Sequence, residues 1–358
     1  MKVVAGVLAL LIGGICPGQL ETRAQAQDAT GITLRVGQYG GSFAAAQRKY
    51  TADLFTKRTG IQVEFIEANP GDHLAKMIAS RGREPPYDIV YLDDDVQVNA
   101  IKAGVLDKID ESLVPNMKNV YDEARNKLGY GPGIIFVGVG IAYSRKKFEE
   151  AGLPPPSSWN DLWNPKLAGH LAIPDLSSVS GRNFLVAAAL LNGGNEETLE
   201  RGIEKISSLQ VHSFYSASAQ AEALLTSGDA WAAVMVSGRA WGMIDRGLPF
   251  GFVFPKEKGG GGLTTVDVVK GTKYAKEALA YIDFTLDPLP QLGQAYEIPY
   301  GPTNRLLGPV IAAYPEMARK FPASPEQLAQ QIRVPDWEAY YKHHQKAVDL
   351  WNRQVLRQ

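Results

Sequence analysis

The sequence predicts an α/β fold of about two domains, on three observations. The chain has 358 residues, enough for roughly two domains of ~150 residues that each bury a core. Its first hundred or so residues alternate strand and helix patterns, which argues for a parallel sheet with helices on both faces. Its composition, 45% hydrophobic and 21% charged, is that of a globular protein and excludes a disordered or collagen-like chain.

A leader precedes the folded part. Lys2 is followed by an apolar run from Val3 to Ile15, and Ala24-Gln25-Ala26 has the small-x-small form of a cleavage site. Residues 1–26 are expected to be a signal peptide cut before Gln27, because the run is too short to span a bilayer. Cys16 is the one cysteine, so the chain has no intrachain disulfide. A lipid-attachment signal wants Leu three residues before the cysteine and Gly or Ala just before it; Gly13 and Ile15 stand there instead. Loss of residues 1–26 takes Lys2, Arg23 and Glu21 and moves the net charge from -1 to -2. A chain so near neutrality does not advertise nucleic acid or anionic lipid as a partner.

The elements follow in order. Ile32 to Val36 alternates apolar and polar residues, as a strand does. After the Gly40-Gly41 turn, Phe43, Ala46, Tyr50, Leu54 and Phe55 recur at helical spacing until Gly60 stops them. Ile61 to Ile66 and Tyr87 to Leu92 read as strands, with a helix from Asp72 to Ser80 between them; Asp93-Asp94-Asp95 follow, then a helix to Ala103 ended by Gly104. In parallel sheets of this kind ligands bind beyond the carboxyl ends of the strands. Those ends hold Tyr39-Gly40-Gly41-Ser42, Asn69-Pro70-Gly71-Asp72 and Asp93-Asp94-Asp95.

Farther on, Ile134 to Tyr143 is apolar and β-prone with Gly138 and Gly140 inside, the pattern of a crossing strand. Gly181 to Leu191 reads as a helix with Ser180 as its N-cap. Ala230 to Val236, Phe250 to Phe254 and Val266 to Val269 read as strands, Gly259 to Gly262 as a flexible surface run, and the chain ends in a long amphipathic helix after Pro335.

Catalytic motifs are missing. His73, His170, His212, His343 and His344 lack metal-ligand spacing and are expected at the surface. Gly40-Gly41-Ser42-Phe43-Ala44 fails as a nucleophile elbow at its last position, and no strand is followed by a P-loop or by G-x-G-x-x-G. Tyr340-Tyr341 reads as a packing pair rather than a phenolate iron site. Neither a cofactor nor a metal is indicated, and binding is favoured over catalysis.

Several segments together resemble a known family. They are Tyr87-Asp88-Ile89-Val90, Ala103-Gly104-Val105-Leu106-Asp107, Gly140-Ile141-Ala142-Tyr143-Ser144, Ser158-Trp159-Asn160-Asp161-Leu162-Trp163, Ser227-Gly228-Asp229-Ala230, Pro255-Lys256-Glu257, Tyr300-Gly301-Pro302-Thr303-Asn304 and Asp336-Trp337. In this order they resemble the spermidine/putrescine-binding branch of the extracellular solute-binding proteins of ABC importers, over residues 31–356. The resemblance implies a type II periplasmic binding fold: two lobes, each a mostly parallel sheet flanked by helices, with a hinge between them. It places the first lobe at 31–133 plus 266–305 and the second at 134–265 plus 306–358. It also implies a periplasmic monomer, a small-molecule ligand and an importer permease as partners, and no enzymatic activity.

The polyamine-binding positions of that branch do not carry over intact. Its acidic positions fall on Ser180 and Asn183, a cleft tryptophan falls on Val236 before Ser237-Gly238-Arg239, and a Trp-x-Asp falls near Gly262 and Thr264. Arg182 and Arg239 lie beside these replaced groups, and arginine clamps carboxylates. Asp93 or Asp95 suits an ammonium. The expected ligand-binding residues are therefore Tyr39, Ser42, Asp93, Asp95, Ser180, Arg182, Asn183, Ser237, Arg239 and Thr264. The expected ligand is a small zwitterion or carboxylate-bearing amine. A di- or polyamine is the alternative ligand. A chemosensing receptor or a periplasmic enzyme is the alternative of another class.

Overall fold

The computed structural model describes residues 31–322 and 324–356, so the expected signal peptide lies outside the described residues. The strands are β1 (Thr33–Gln38), β2 (Gln62–Glu67), β3 (Ile89–Asp93), β4 (Leu106–Asp107), β5 (Gly133–Ser144), β6 (Leu171–Pro174), β7 (Ser213–Tyr215), β8 (Ala232–Val236), β9 (Phe250–Val253), β10 (Gly259–Val269), β11 (Gly301–Pro302) and β12 (Ile332–Arg333). They form one sheet in the order β2-β1-β3-β10-β5-β8-β6-β7, with β4 and β12 joined to β10, and β9 and β11 joined to β5. Pairing is parallel for β2-β1-β3 at one end and for β8-β6-β7 at the other.

Burial explains why β3 is continuously apolar. Ile89 and Tyr91 point into the largest core, while Val90 and Leu92 point to the opposite face, among Met77, Val96 and Val105. A strand covered on both faces needs apolar residues at both parities. The helix Pro70–Ala79, between β2 and β3, helps to cover the second face, through Met77.

Two long strands join the ends of the sheet. β5 pairs with β11 through Ile135 and Phe136 and with β8 from Val139 to Tyr143. β10 pairs with β3 from Thr264 to Val268 and with β12 at Gly259 and Gly260. The two run antiparallel to one another from Val139↔Gly260 down to Ile135↔Thr264.

This pairing corrects the expectation for Gly259 to Gly262. The run is not a surface loop but the buried first third of β10. The reason is space. A Cβ on Gly259 would lie 2.5 Å from the Val139 carbonyl oxygen, and one on Gly260 would lie 2.6 Å from the Asn183 side chain. A larger residue at 259 would press on the β5 backbone, and one at 260 would force the helix Val179–Leu191 away from β10. Local patterning reads four glycines as flexibility, whereas the tertiary packing requires them as spacers.

Other expectations shift by a few residues. Ser178, not Ser180, caps the helix Val179–Leu191, accepting the Gly181 N–H at 3.2 Å, and Ser180 is buried in the first turn. His73 is fully buried rather than exposed, its ring held between the Tyr87 hydroxyl at 2.9 Å and the Gln38 carbonyl at 3.1 Å. The C-terminal helix Trp337–Gln354 spans both ends of the sheet. Tyr341 reaches the helix Asp94–Ala103 through Asp95, and Lys346 pairs with Glu200 of the helix Glu200–Ile206. Among the described residues no helix is long and apolar enough to cross a membrane, and no cluster of His, Cys, Asp and Glu could hold a metal ion.

Candidate functional site

Strand ends from both parts of the sheet open on one cleft of about 690 Å³. Tyr39 follows β1, Asp93 ends β3, Ser177 and Ser178 follow β6, Ser216 follows β7, and Val236 and Arg239 follow or end β8. This is the crevice beyond the carboxyl ends of parallel strands where α/β sheets hold ligands. The loop Asn69 to Asp72 lines it too, as its place after β2 predicts.

Asp93 occupies the N-cap position of the helix Asp94–Ala103 but makes no capping bond. Its Oδ1 accepts the Tyr39 hydroxyl at 2.6 Å instead, which turns the carboxylate into the cleft. Burial and the neighbouring Asp95 push the Asp93 carboxyl up to about 6, against the pull of Tyr39 and Arg182. Tyr39 is itself fixed edge-on against Phe43, with ring centroids 4.9 Å apart.

Arg239 stands in the first turn of the helix Ser237–Asp245, directly after β8. It is half-buried and lines the cleft. Among the described residues it makes no ion pair and no hydrogen bond with the protein. Tyr300 stands beside it: a Cβ on Gly238 would lie 2.5 Å from the Tyr300 ring, so the phenol rests directly on the glycine that precedes Arg239. Burial pushes the Tyr300 hydroxyl up to about 12, with Arg239 pulling it down and Asp93 pushing it up. The phenol therefore stands within the fields of both opposite charges.

Arg182 also lines the cleft, but its charge is already answered. Its Nε lies 2.5 Å from Asp95 Oδ2, and its Nη1 donates to the carbonyls of Leu176 at 3.1 Å and Ser177 at 2.8 Å. Burial disfavours its charge, and Asp95, Tyr341 and Asp93 more than offset that. The cleft-facing carboxylates are Asp93 and, exposed at the rim, Asp72.

Of the ten residues expected to bind ligand, six line the cleft: Tyr39, Ser42, Asp93, Arg182, Arg239 and Thr264. Four do not. Asp95 is fully buried against Arg182, and Ser180 is packed inside the first helical turn. Asn183 points the other way, accepting the Gly261 N–H at 3.0 Å. Ser237 is buried, its Oγ against the β5 backbone at Gly138. Sequence reasoning missed Tyr300, Tyr341 and the serines at 177, 178, 216 and 218. Tyr300 lay inside a segment that resembles the family, but nothing local marks its ring as facing the cleft. Tyr341 arrives from a helix some 250 residues after Asp95 in the chain, and only the tertiary fold brings the two together.

A two-lobed α/β frame with strand ends converging on one polar cleft defines a binding protein for small solutes. The family model for bacterial extracellular solute-binding proteins matches residues 49–319, and the chain belongs to that family. A putrescine-binding periplasmic protein of Pseudomonas aeruginosa is 25% identical over 286 residues, covering 73% of this chain and 77% of the relative. A γ-aminobutyric acid-binding protein, also of Pseudomonas aeruginosa, is 23% identical over 346 residues and covers 92% of each chain. Among solved structures, an ABC transporter substrate-binding protein from Bradyrhizobium japonicum superposes with a TM-score of 0.76 at 21% identity, covering 90% of this chain and 99% of that one.

Proposed function

We propose that this protein is the periplasmic substrate-binding component of an ABC importer and takes a small ω-amino acid, of the size of 4-aminobutyrate, into the cleft. The observation that carries the reading is Arg239, a cation on the cleft wall without a protein partner among the described residues, facing the same space as Asp93. A ligand carboxylate on Arg239 and a ligand ammonium on Asp93 answer both charges at once. Tyr300, in the fields of both groups, fits a short chain between them. The relative named for γ-aminobutyric acid supports the same class.

β5 and β10 serve as the hinge in this reading, since β10 pairs with β3 on one side, β5 pairs with β8 on the other, and the two pair with each other. The lobes then divide near residues 133 and 266 and again near 305. Ligand contacts on both sides stabilise the closed form, which the membrane permease reads. Export rests on the leader at residues 1–26.

Putrescine is the second reading. It is favoured by the putrescine-binding relative and by Asp72 and Asp93 on one cleft. A thermal-shift screen with 4-aminobutyrate, neighbouring ω-amino acids and putrescine separates the two. Ligand at about 100 times its Kd adds about 2.7 kcal/mol of stability. A rise in Tm with 4-aminobutyrate at micromolar concentration supports the proposal, and a rise with putrescine alone rejects it.

A further inference from the structure

We propose that Asp95, a residue outside the cleft wall, sets the charge selectivity of the cleft by neutralising Arg182. The inference rests on the zwitterion reading for the nature of the ligand, but its electrostatics stand on the side chains themselves.

Arg182 is 6% exposed and still forms part of the wall. Nη1 donates to two carbonyls, and Nε lies 2.5 Å from Asp95 Oδ2 in an ion pair without hydrogen-bond alignment. Nη2 has no protein partner among the described residues. Asp95 is 0% exposed; its Oδ2 also accepts the Tyr341 hydroxyl at 2.8 Å, and its Oδ1 has no partner. Three separate elements, the helices Asp94–Ala103, Val179–Leu191 and Trp337–Gln354, thus fix one guanidinium and one carboxylate against each other.

Two opposite charges this close cancel at distances greater than their separation, and burial keeps water from screening the rest. Toward a ligand Arg182 acts as a donor without net charge. Arg239 is left as the net cation of the wall, balanced by Asp93. Without Asp95 two arginines would face the single carboxylate of Asp93, and this excess of positive charge would favour a ligand with two carboxylates over one with two ammonium groups. Asp95 therefore excludes dianions without touching them, a form of discrimination by unpaired charge.

The competing explanation is that the pair only braces three helices. The two separate on ligand preference. Glutarate, 4-aminobutyrate and putrescine are chains of similar length carrying two negative charges, one of each sign, and two positive charges. Calorimetric titration of all three is made on wild type, Asp95→Asn, Arg182→Met and the double variant Asp95→Asn/Arg182→Met. Asn keeps the shape and the acceptor for Tyr341 and removes the charge. Asp95→Asn is expected to raise glutarate affinity relative to putrescine by at least about 30-fold, the scale of a desolvated charge contact. Arg182→Met, which leaves the Asp95 charge unanswered, is expected to move the ratio the other way. The double variant should return the ratio to within a few-fold of wild type and, where Asp95→Asn folds poorly, supply the folded comparison with Arg182→Met. A common factor for all three ligands, or no gain of glutarate over putrescine between Arg182→Met and the double variant, overturns the inference. The ligand that wild type prefers tests the proposed function; the shift among variants tests the role of Asp95.

Discussion

Two arginines line the same cleft and differ in what answers their charge. Arg182 is locked to a buried carboxylate and two carbonyls, whereas Arg239 has no protein partner among the described residues. The same contrast divides the acidic run: Asp95 is fully buried and paired, and Asp93, two residues earlier, meets the cleft with only a tyrosine hydroxyl on it. The comparison shows that the charge a ligand meets is set by what remains unpaired, not by how many charged residues stand near the cleft. In the proposed reading the Arg182–Asp95 pair presents no net charge to the cleft, which leaves Arg239 with Asp93 as the recognition pair.

The largest effect is expected where that contrast is removed outright. Arg239→Ala should weaken the carboxylate-bearing ligand by about 30-fold to several thousand-fold, the cost of losing one partner of a desolvated charge pair. Its Tm without ligand should stay within about two degrees of wild type, because among the described residues no ion pair or hydrogen bond is lost. Calorimetry and a melting curve check both. A loss of binding matched by a loss of stability would place Arg239 with Arg182 in the architecture.

Asp93→Asn comes next and has two effects of opposite sign. Ligand affinity should fall about 30-fold for an amine-bearing ligand and little for a plain carboxylate. Stability without ligand should rise. The Asp93 carboxyl goes from its ordinary 3.8 to about 6 in the folded protein, so the native state binds this proton more readily than the unfolded chain does. The group therefore costs stability above about pH 6, and the cost is relieved as pH falls from 6 toward 4. Replacing it with Asn removes a cost of order 1–3 kcal/mol at neutral pH, read as a higher Tm at pH 7.5 and no gain at pH 4.

The same titration makes ligand binding pH-dependent. An ammonium binds the ionised carboxylate, so affinity should drop as pH falls through about 6 in wild type and stay flat in Asp93→Asn. Equal slopes in the two proteins would remove Asp93 from the ammonium site. The smallest effect belongs to Tyr39→Phe, which deletes the 2.6 Å hydrogen bond to Asp93. Affinity should fall by a few-fold, in line with a bond worth about 1 kcal/mol, and the pH midpoint should move upward because that bond favours the ionised form.

The strand-helix alternation up to Gly104 and the crossing strand near Ile134 were legible in the sequence because each follows a local period that burial enforces. The strand ends carrying Tyr39, Asn69–Asp72 and Asp93 were legible for the same reason, since sheet topology alone sends them to one crevice. Which arginine is free was not legible. Arg182 and Arg239 both sit just inside helices that follow strands, and only the arrival of Asp95 and Tyr341 from distant elements distinguishes them. The glycines of β10 misled for a related reason: their cause is the Asn183 side chain and the β5 backbone, neither of which is near them in the chain.

The central claim is that the cleft sets an unpaired Arg239 opposite Asp93, with Asp72 exposed at the rim, and the most direct test is a calorimetric titration of the wild-type protein with 4-aminobutyrate and with putrescine at pH 7.5. Putrescine would answer Asp93 but place its second ammonium near Arg239. The prediction is that 4-aminobutyrate binds at least about 100-fold more tightly, a difference of about 2.7 kcal/mol. Putrescine binding as tightly as 4-aminobutyrate, or more tightly, would contradict it.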